Sequence, residues 1–127
     1  PKIGEKVLDP ACGTGGFLTE AFTHMADQAD TVEKHRILQE GSIFGGEAKS
    51  LPFLLVQMNL LLHGLEAPQI DPGNSLSTRL AEIGEADRFE VILSNPPFGG
   101  EEETVILNNF PDDRRPTEAA LPSFRLV

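Results

Sequence analysis

Two stretches of this chain carry residue types whose spacing suits chemistry. The first is Val7-Leu8-Asp9-Pro10-Ala11-Cys12-Gly13-Thr14-Gly15-Gly16-Phe17, a short apolar strand that ends on an acid and runs through a glycine turn into a helix. Glycine lacks a Cβ, so such a turn accepts positive φ and lets a ligand approach bare backbone. The first N–H groups of the helix point into that gap, with the positive end of the helix dipole behind them. Turns at the carboxyl ends of strands are where open α/β sheets hold small molecules. The second stretch is Ser94-Asn95-Pro96-Pro97-Phe98-Gly99-Gly100, at the end of the apolar run Phe89 to Leu93. Two consecutive prolines cannot continue a β-ladder, so the backbone leaves the sheet at Asn95 in an extended shape. The Asn95 amide oxygen and the Pro96 carbonyl can accept hydrogen bonds at one spot, beside the flat face of Phe98. That combination suits a planar ring bearing an exocyclic amino group; a proline-rich turn with no function is the alternative for the motif taken alone.

Spacing separates the glycine turn from two similar loops. A dinucleotide fingerprint reads G-x-G-x-x-G with an acid about 20 residues later. Here the glycines read Gly13-Thr14-Gly15-Gly16, and the acid at the next strand end is Glu47. A phosphate loop needs Gly-Lys-Ser/Thr, and no lysine follows these glycines. A plain strand-to-helix turn remains the alternative for the loop taken alone.

The elements that position these stretches read in order. Leu18, Ala21, Phe22 and Met25 recur at helical spacing and give a helix from about Gly15 to Ala29 with one buried face. Asp27 to Glu40 is polar with a helical flavour, and Ile43 to Gly46 reads as a second strand ending in Glu47. A carboxylate there can accept both hydroxyls of a ribose, or simply favour the start of the next helix. Ser50 is placed to cap that helix and Pro52 fits its first turn. Leu51, Leu54, Leu55, Met58, Leu62 and Leu65, broadened by Phe53, Val56 and Leu60, predict a helix buried on more than one side. Gln57, Asn59 and His63 interrupt it and the length is too short for a membrane span; Gly64 ends it. Ile70 marks a third strand, and Asp71-Pro72-Gly73-Asn74-Ser75 turns away from it. Asn74 suits either an adenine ring or a turn. Leu76 to Ala86 reads as a weak helix, and Phe89 to Leu93 as a central parallel strand.

Composition sets bounds. The 127 residues suit one domain, and 39% hydrophobic with 24% charged residues is ordinary for a globular chain. A net charge of −10 gives it no electrostatic reason to hold a polyanion alone. The single cysteine, Cys12, excludes an internal disulfide and suits a reducing cytoplasmic setting. It has no evident histidine partner, so packing is the expected role. His24 and His35 lack clustered ligands and read as solvated. Glu101 to Glu103 form an acidic loop, and Arg114 with Arg115 a surface pair.

Together the two motifs resemble the adenine-N6 DNA methyltransferases that use S-adenosylmethionine, and in more detail the modification subunit of type I restriction-modification systems. The resemblance spans Asp9 to Phe17, Gly46-Glu47, the Leu51–Gly64 helix with Asn59 and His63, Gly73-Asn74-Ser75, Asn95 to Gly100 and Asn109-Phe110-Pro111. It implies an α/β, Rossmann-like methyltransferase fold, incomplete, with about four parallel strands in the order 3-2-1-4 flanked by helices. The whole of residues 1–127 would then be a partial catalytic domain, without the family's amino-terminal helical region and later strands. Asp9, Ala11, Gly13 and Gly15, with Thr14, Gly16 and Phe17, would line the methionine part of the cofactor. Glu47 would hold its ribose and Asn74 its adenine. Asn95, Pro96 and Phe98, with Pro97, would grip the target base; no metal is called for. The implied partners are DNA, reached through a complex, and separate specificity and restriction subunits. A bare fourth strand implies self-association, and a piece of this length implies weak cofactor binding and no transfer alone. Methylation of a protein glutamine amide is the other enzyme reading, though Phe98 stands where tyrosine would be expected. A non-catalytic cofactor-binding or assembly module is the third.

Overall fold

The structure, a computed structural model, describes residues 1–73, 84 and 88–95. Four short strands, β1 (Val7–Asp9), β2 (Ile43–Gly46), β3 (Gln69–Asp71) and β4 (Val91–Ile92), form one sheet in the order β3-β2-β1-β4. Every pairing is parallel, with Val7 opposite both Ile43 and Val91, and Phe44 opposite Gln69. Three helices, α1 (Gly16–Ala26), α2 (Val32–Gly41) and α3 (Ser50–Leu62), make the crossovers. The chain winds outward from β1 to β3 and then returns to the opposite side of β1. Such a reversal opens a crevice at the carboxyl edge between β1 and its neighbours. The four parallel strands and their order agree with the expected Rossmann-like architecture.

Each helix shows why it forms where it does. Gly15 precedes α1 with φ 86°, and Leu18, Ala21, Phe22 and Met25 face the core at helical spacing. The helix is shorter than the sequence pattern suggests, because residues 27–29 turn back through Gln28 N–H to Met25 and Ala29 N–H to Ala26. Thr31 caps α2 by accepting the Lys34 N–H at 3.2 Å. At the end of α3, Gly64 takes φ 100°, Leu65 N–H reaches Leu60 O and Gly64 N–H reaches Leu61 O. This is a Schellman motif, with buried Leu65 packed back toward Leu60. The core joins Val7 and Ile43 of the sheet to Leu18, Phe22 and Met25 of α1, Leu38 of α2 and Val56 and Leu60 of α3. Before β4, Lys6 N–H donates to the Glu90 carboxylate at 2.7 Å, and Phe89 meets Phe44 edge-on at 5.3 Å.

Two expectations are corrected. Ser50 is not the cap of α3: Lys49 holds that position without a side-chain bond, and the Glu47 carboxylate takes the Lys49 N–H at 2.7 Å instead. Nor is α3 buried on several sides. Val56 and Leu60 are fully buried, but Leu51, Leu54, Leu55, Met58, Leu61 and Leu62 are exposed, Leu54 at 56% and Leu62 at 84%. The six recur at intervals of three and four, so they form one continuous apolar stripe along the outer face of α3. The helix read over 76–86 lies almost wholly outside the described residues.

Candidate active site

The glycine loop between β1 and α1 is held by backbone and carboxylate contacts from two strands. Asp9, at the tip of β1, is 2% exposed. Its Oδ1 accepts the Ala11 N–H at 3.1 Å across Pro10. Cys12 N–H donates to Gly46 O at 3.0 Å, so the loop is stitched to the tip of β2. Glu47, one residue beyond β2, accepts the Gly13 N–H on Oε2 at 3.0 Å and the Lys49 N–H on Oε1 at 2.7 Å. Gly15 N–H closes the turn on Cys12 O at 2.8 Å. Glu47 N–H in turn donates to Asp71 O at 2.9 Å, tying the site to β3.

Two glycines are required here for different reasons. Gly13 sits at φ 56° with no atom within 4 Å of where a Cβ would stand, so the loop presents open backbone on that side. Gly15 sits at φ 86°, and a Cβ there would lie 2.5 Å from Val56 Cγ2. The turn passes directly under α3. A further tie comes from the same helix: Asn59 Nδ2 donates to Thr14 O at 3.0 Å. The roles of Val56 and Asn59 were not read from the sequence. The usable signal was an amide-bearing residue one turn from Val56 and next to Leu60 on a largely apolar helix.

Burial sets the electrostatics. It raises the Asp9 carboxyl to about 6, against the lowering effect of the Ala11 N–H and with a further push from the Glu47 charge. Burial also lifts the Cys12 thiol to about 12, helped by the charges of Asp9 and Glu47. Cys12 is therefore a packed, protonated thiol rather than a nucleophile. A raised carboxyl makes folding less favourable once it ionises, so the effect is absent below the unfolded pKa near 4. Stability then falls as pH rises toward 6, by up to about 3 kcal/mol. Urea unfolding of the protein and of Asp9→Asn between pH 4 and pH 7 should show the two curves separating by that amount. Parallel curves would mean that Asp9 titrates normally.

Most of the residues expected to bind a cofactor converge. Asp9, Ala11, Gly13, Thr14, Gly15 and Gly16 lie on one loop, Phe17 is half-exposed at the start of α1, and Glu47 touches that loop from β2. Asn95 is exposed just beyond β4. Leu93 N–H pairs with Leu8 O at 2.9 Å, which brings Asn95 to the same carboxyl edge as the glycine loop. The adjacent Ser94 Oγ is buried with no hydrogen-bond partner, a donor whose bond a bound group could complete. Asn74, Pro96, Pro97 and Phe98 lie outside the described residues. His24 and His35 are exposed, and among the described residues no three His, Cys, Asp or Glu side chains could hold a metal. No helix among these residues is long and apolar enough to cross a membrane.

The residues fit an adenosyl cofactor with a cationic amino-acid tail. Each Glu47 oxygen holds one N–H and keeps a lone pair, leaving room for two hydroxyls. Gly13 and Gly16 both face open space, and the Asp9 carboxylate stands beside the loop.

A reversed parallel sheet with a glycine loop and a carboxylate at neighbouring strand tips is the architecture of a Rossmann-like methyltransferase fold. The family model for N-6 DNA methylases matches residues 1–122, and the chain belongs to that family. The methylase subunit of the type I restriction enzyme EcoEI from Escherichia coli is 49% identical over 122 residues, which is 94% of this chain and 24% of that protein. A solved structure assigned as the modification subunit of a type I restriction enzyme from Vibrio vulnificus is 66% identical, with a TM-score of 0.92 over 99% of this chain and 26% of that one. The M protein of the type I enzyme EcoKI superposes with a TM-score of 0.64 at 28% identity, over 77% of this chain and 22% of that one. The chain thus spans about a quarter of the length of these relatives.

Proposed function

We propose that these residues form the cofactor-binding half, and the start of the target-base turn, of an enzyme that methylates the N6 amino group of adenine in DNA. The observation that carries this reading is one edge: Asp9, the glycine loop, Glu47 and Asn95 all stand at the carboxyl ends of adjacent strands. S-adenosylmethionine, when bound, supplies an activated methyl group on a sulfonium centre. Asp9 favours its cationic tail, the loop N–H groups and open glycines admit it, and Glu47 accepts from its ribose. Asn74 serves its adenine.

On the other side of the crevice, the Asn95 amide oxygen and the Pro96 carbonyl accept the two hydrogens of the target amine. The adenine N6 lone pair is delocalised into the ring and is a poor nucleophile. Two acceptors at one spot favour a pyramidal amine and free that lone pair, while positioning supplies much of the rate. The amine is hidden in duplex DNA, so the base is flipped out, and Phe98 stacks on it. Labelled methyl transfer from S-adenosylmethionine to DNA adenine by the intact subunit tests the reading. Label on another base, or none at all, overturns it.

Membership of a type I assembly, with specificity and restriction subunits in a cytoplasmic setting, is part of the same proposal and draws on the similarity to the EcoEI subunit. The excess of acids over bases, 20 against 10, fits it, since most phosphate contact must then come from elsewhere in a complex. Self-association of the 127-residue polypeptide belongs here too. Among the described residues β4 is a sheet edge, and the α3 stripe adds a second apolar surface. Light scattering should find dimers or larger species, reduced by the Leu54→Lys, Met58→Lys double variant. A monomer at all concentrations would refute self-association.

A further inference from the structure

Asn59 has no place in the chemistry described above, yet it makes a contact that spans 45 positions of sequence. Its Nδ2 donates to Thr14 O at 3.0 Å, in the middle of the glycine loop. The other bonds that fix this loop come from the tips of β1 and β2, from within the turn and from α1. Within the turn Gly15 N–H meets Cys12 O, and from α1 Thr19 N–H meets Gly15 O at 2.9 Å. Gly13 and Gly15, on either side of Thr14, both take positive φ. The Thr14–Gly15 peptide ends on one of these glycines, so alternative orientations are open to it at little steric penalty. The N–H edge of that peptide is held within the turn by Cys12 O at 2.8 Å, and its carbonyl edge is held by the Asn59 side chain of α3. The helix is itself well anchored for this task. Val56 and Leu60, one turn and one residue from Asn59, are fully buried, and the Asn59 carbonyl receives both the His63 N–H at 3.1 Å and the His63 ring Nδ1 at 2.8 Å.

We infer that Asn59 is a positioning residue for cofactor binding: it locks the Thr14–Gly15 peptide so that the glycine loop is already in its binding-competent shape. The inference rests on the cofactor role proposed for that loop. A ligand whose binding-competent state is only partly populated binds more weakly by that fraction. Losing one net hydrogen bond corresponds to a factor of about three to ten. Asn59 stands on the loop side of the crevice and not beside Asn95, so its loss should act on cofactor affinity and leave the methyl-transfer step alone.

Calorimetry and steady-state kinetics on the intact subunit test this with S-adenosylmethionine as the probe. Asn59→Ala and Asn59→Asp should raise the Kd and KM for the cofactor by about three- to tenfold. Turnover at saturating cofactor and the KM for DNA should stay within about twofold. Asn59→Asp keeps the side-chain shape and removes the donor, so it separates the hydrogen bond from packing. Asn59→Gln, which returns an amide on a longer arm, should recover part of the affinity that Asn59→Ala loses. Wild-type affinity in Asn59→Asp overturns the inference. So does a loss of affinity that only tracks a loss of folded protein by circular dichroism. Failure of the unsubstituted subunit to bind the cofactor would instead refute the cofactor reading itself, before any variant is compared.

Discussion

Substituting alanine for Gly15 is expected to destabilise the protein by about 2–5 kcal/mol and to remove measurable binding of S-adenosylmethionine. Two separate effects add. The backbone at Gly15 has φ 86°, where an L side chain is strained. The new methyl group would stand 2.5 Å from Val56 Cγ2, on a helix whose position is fixed by the core. One side must yield, and the loop is the softer one. It would lift from α3 and carry the Thr14 carbonyl away from Asn59. A double-mutant cycle divides the two causes: Val56→Ala removes the colliding methyl groups, so Gly15→Ala should cost about 1–3 kcal/mol less in that background. Denaturant unfolding of the four proteins measures this directly. If Gly15→Ala costs the same with and without the Val56→Ala change, the close approach of α3 is not what demands glycine.

The second large effect is expected at Asn95. Asn95→Ala in the intact subunit should lower methyl transfer to DNA adenine by at least about a hundredfold, a size typical of removing one group that stabilises developing charge. Cofactor affinity should change by less than about twofold, since Asn95 follows β4 and makes no contact with the loop among the bonds that hold it. Asn95→Asp retains an acceptor at the same place and should retain more activity than alanine. Single-turnover assays with saturating cofactor isolate the transfer step. Transfer at more than a tenth of the wild-type rate in Asn95→Ala would remove this residue from the catalytic role.

What could be read in the residues, and what could not, divides along local and non-local physics. The glycine loop was legible because its requirements are local: an apolar strand, an acid, three glycines and an amphipathic helix each carry their own signature. The strand end at Gly46 followed from similar signals. Ile70 marked the third strand, although Asp71, read as the start of the turn, belongs to it, and the strand order rested on the family resemblance. The capping of α3 was misread because the Phe53 N–H bonds Lys49 O at 3.0 Å, which starts the helix one residue earlier and puts Ser50 inside it. The burial of α3 was misread for a different reason. Apolar spacing states that a face avoids water, but not what covers it. Asn59 was noticed as an interruption of a hydrophobic helix and as part of the family resemblance, with no role attached. Its bond to Thr14 depends on how α3 crosses the loop, which no local pattern encodes. The tip of β4 was legible as far as Asn95. Asn74 and the Pro96-Pro97-Phe98 turn lie outside the described residues.

The reversal of winding after β3 also bears on how the crevice comes into being. The Lys6–Glu90 contact that seats β4 against β1 bridges 84 positions. Closing so long a chain segment in one step would be entropically expensive. Once β1, β2 and β3 are paired, only the segment of about 20 residues from Asp71 to Val91 remains to be closed, which lowers the closure cost by about 1 kcal/mol. Loop closure thus favours pairing of β1, β2 and β3 before β4 carries Asn95 to the same edge. A ribosome must deliver the chain as far as Val91 before both walls of the crevice can coexist.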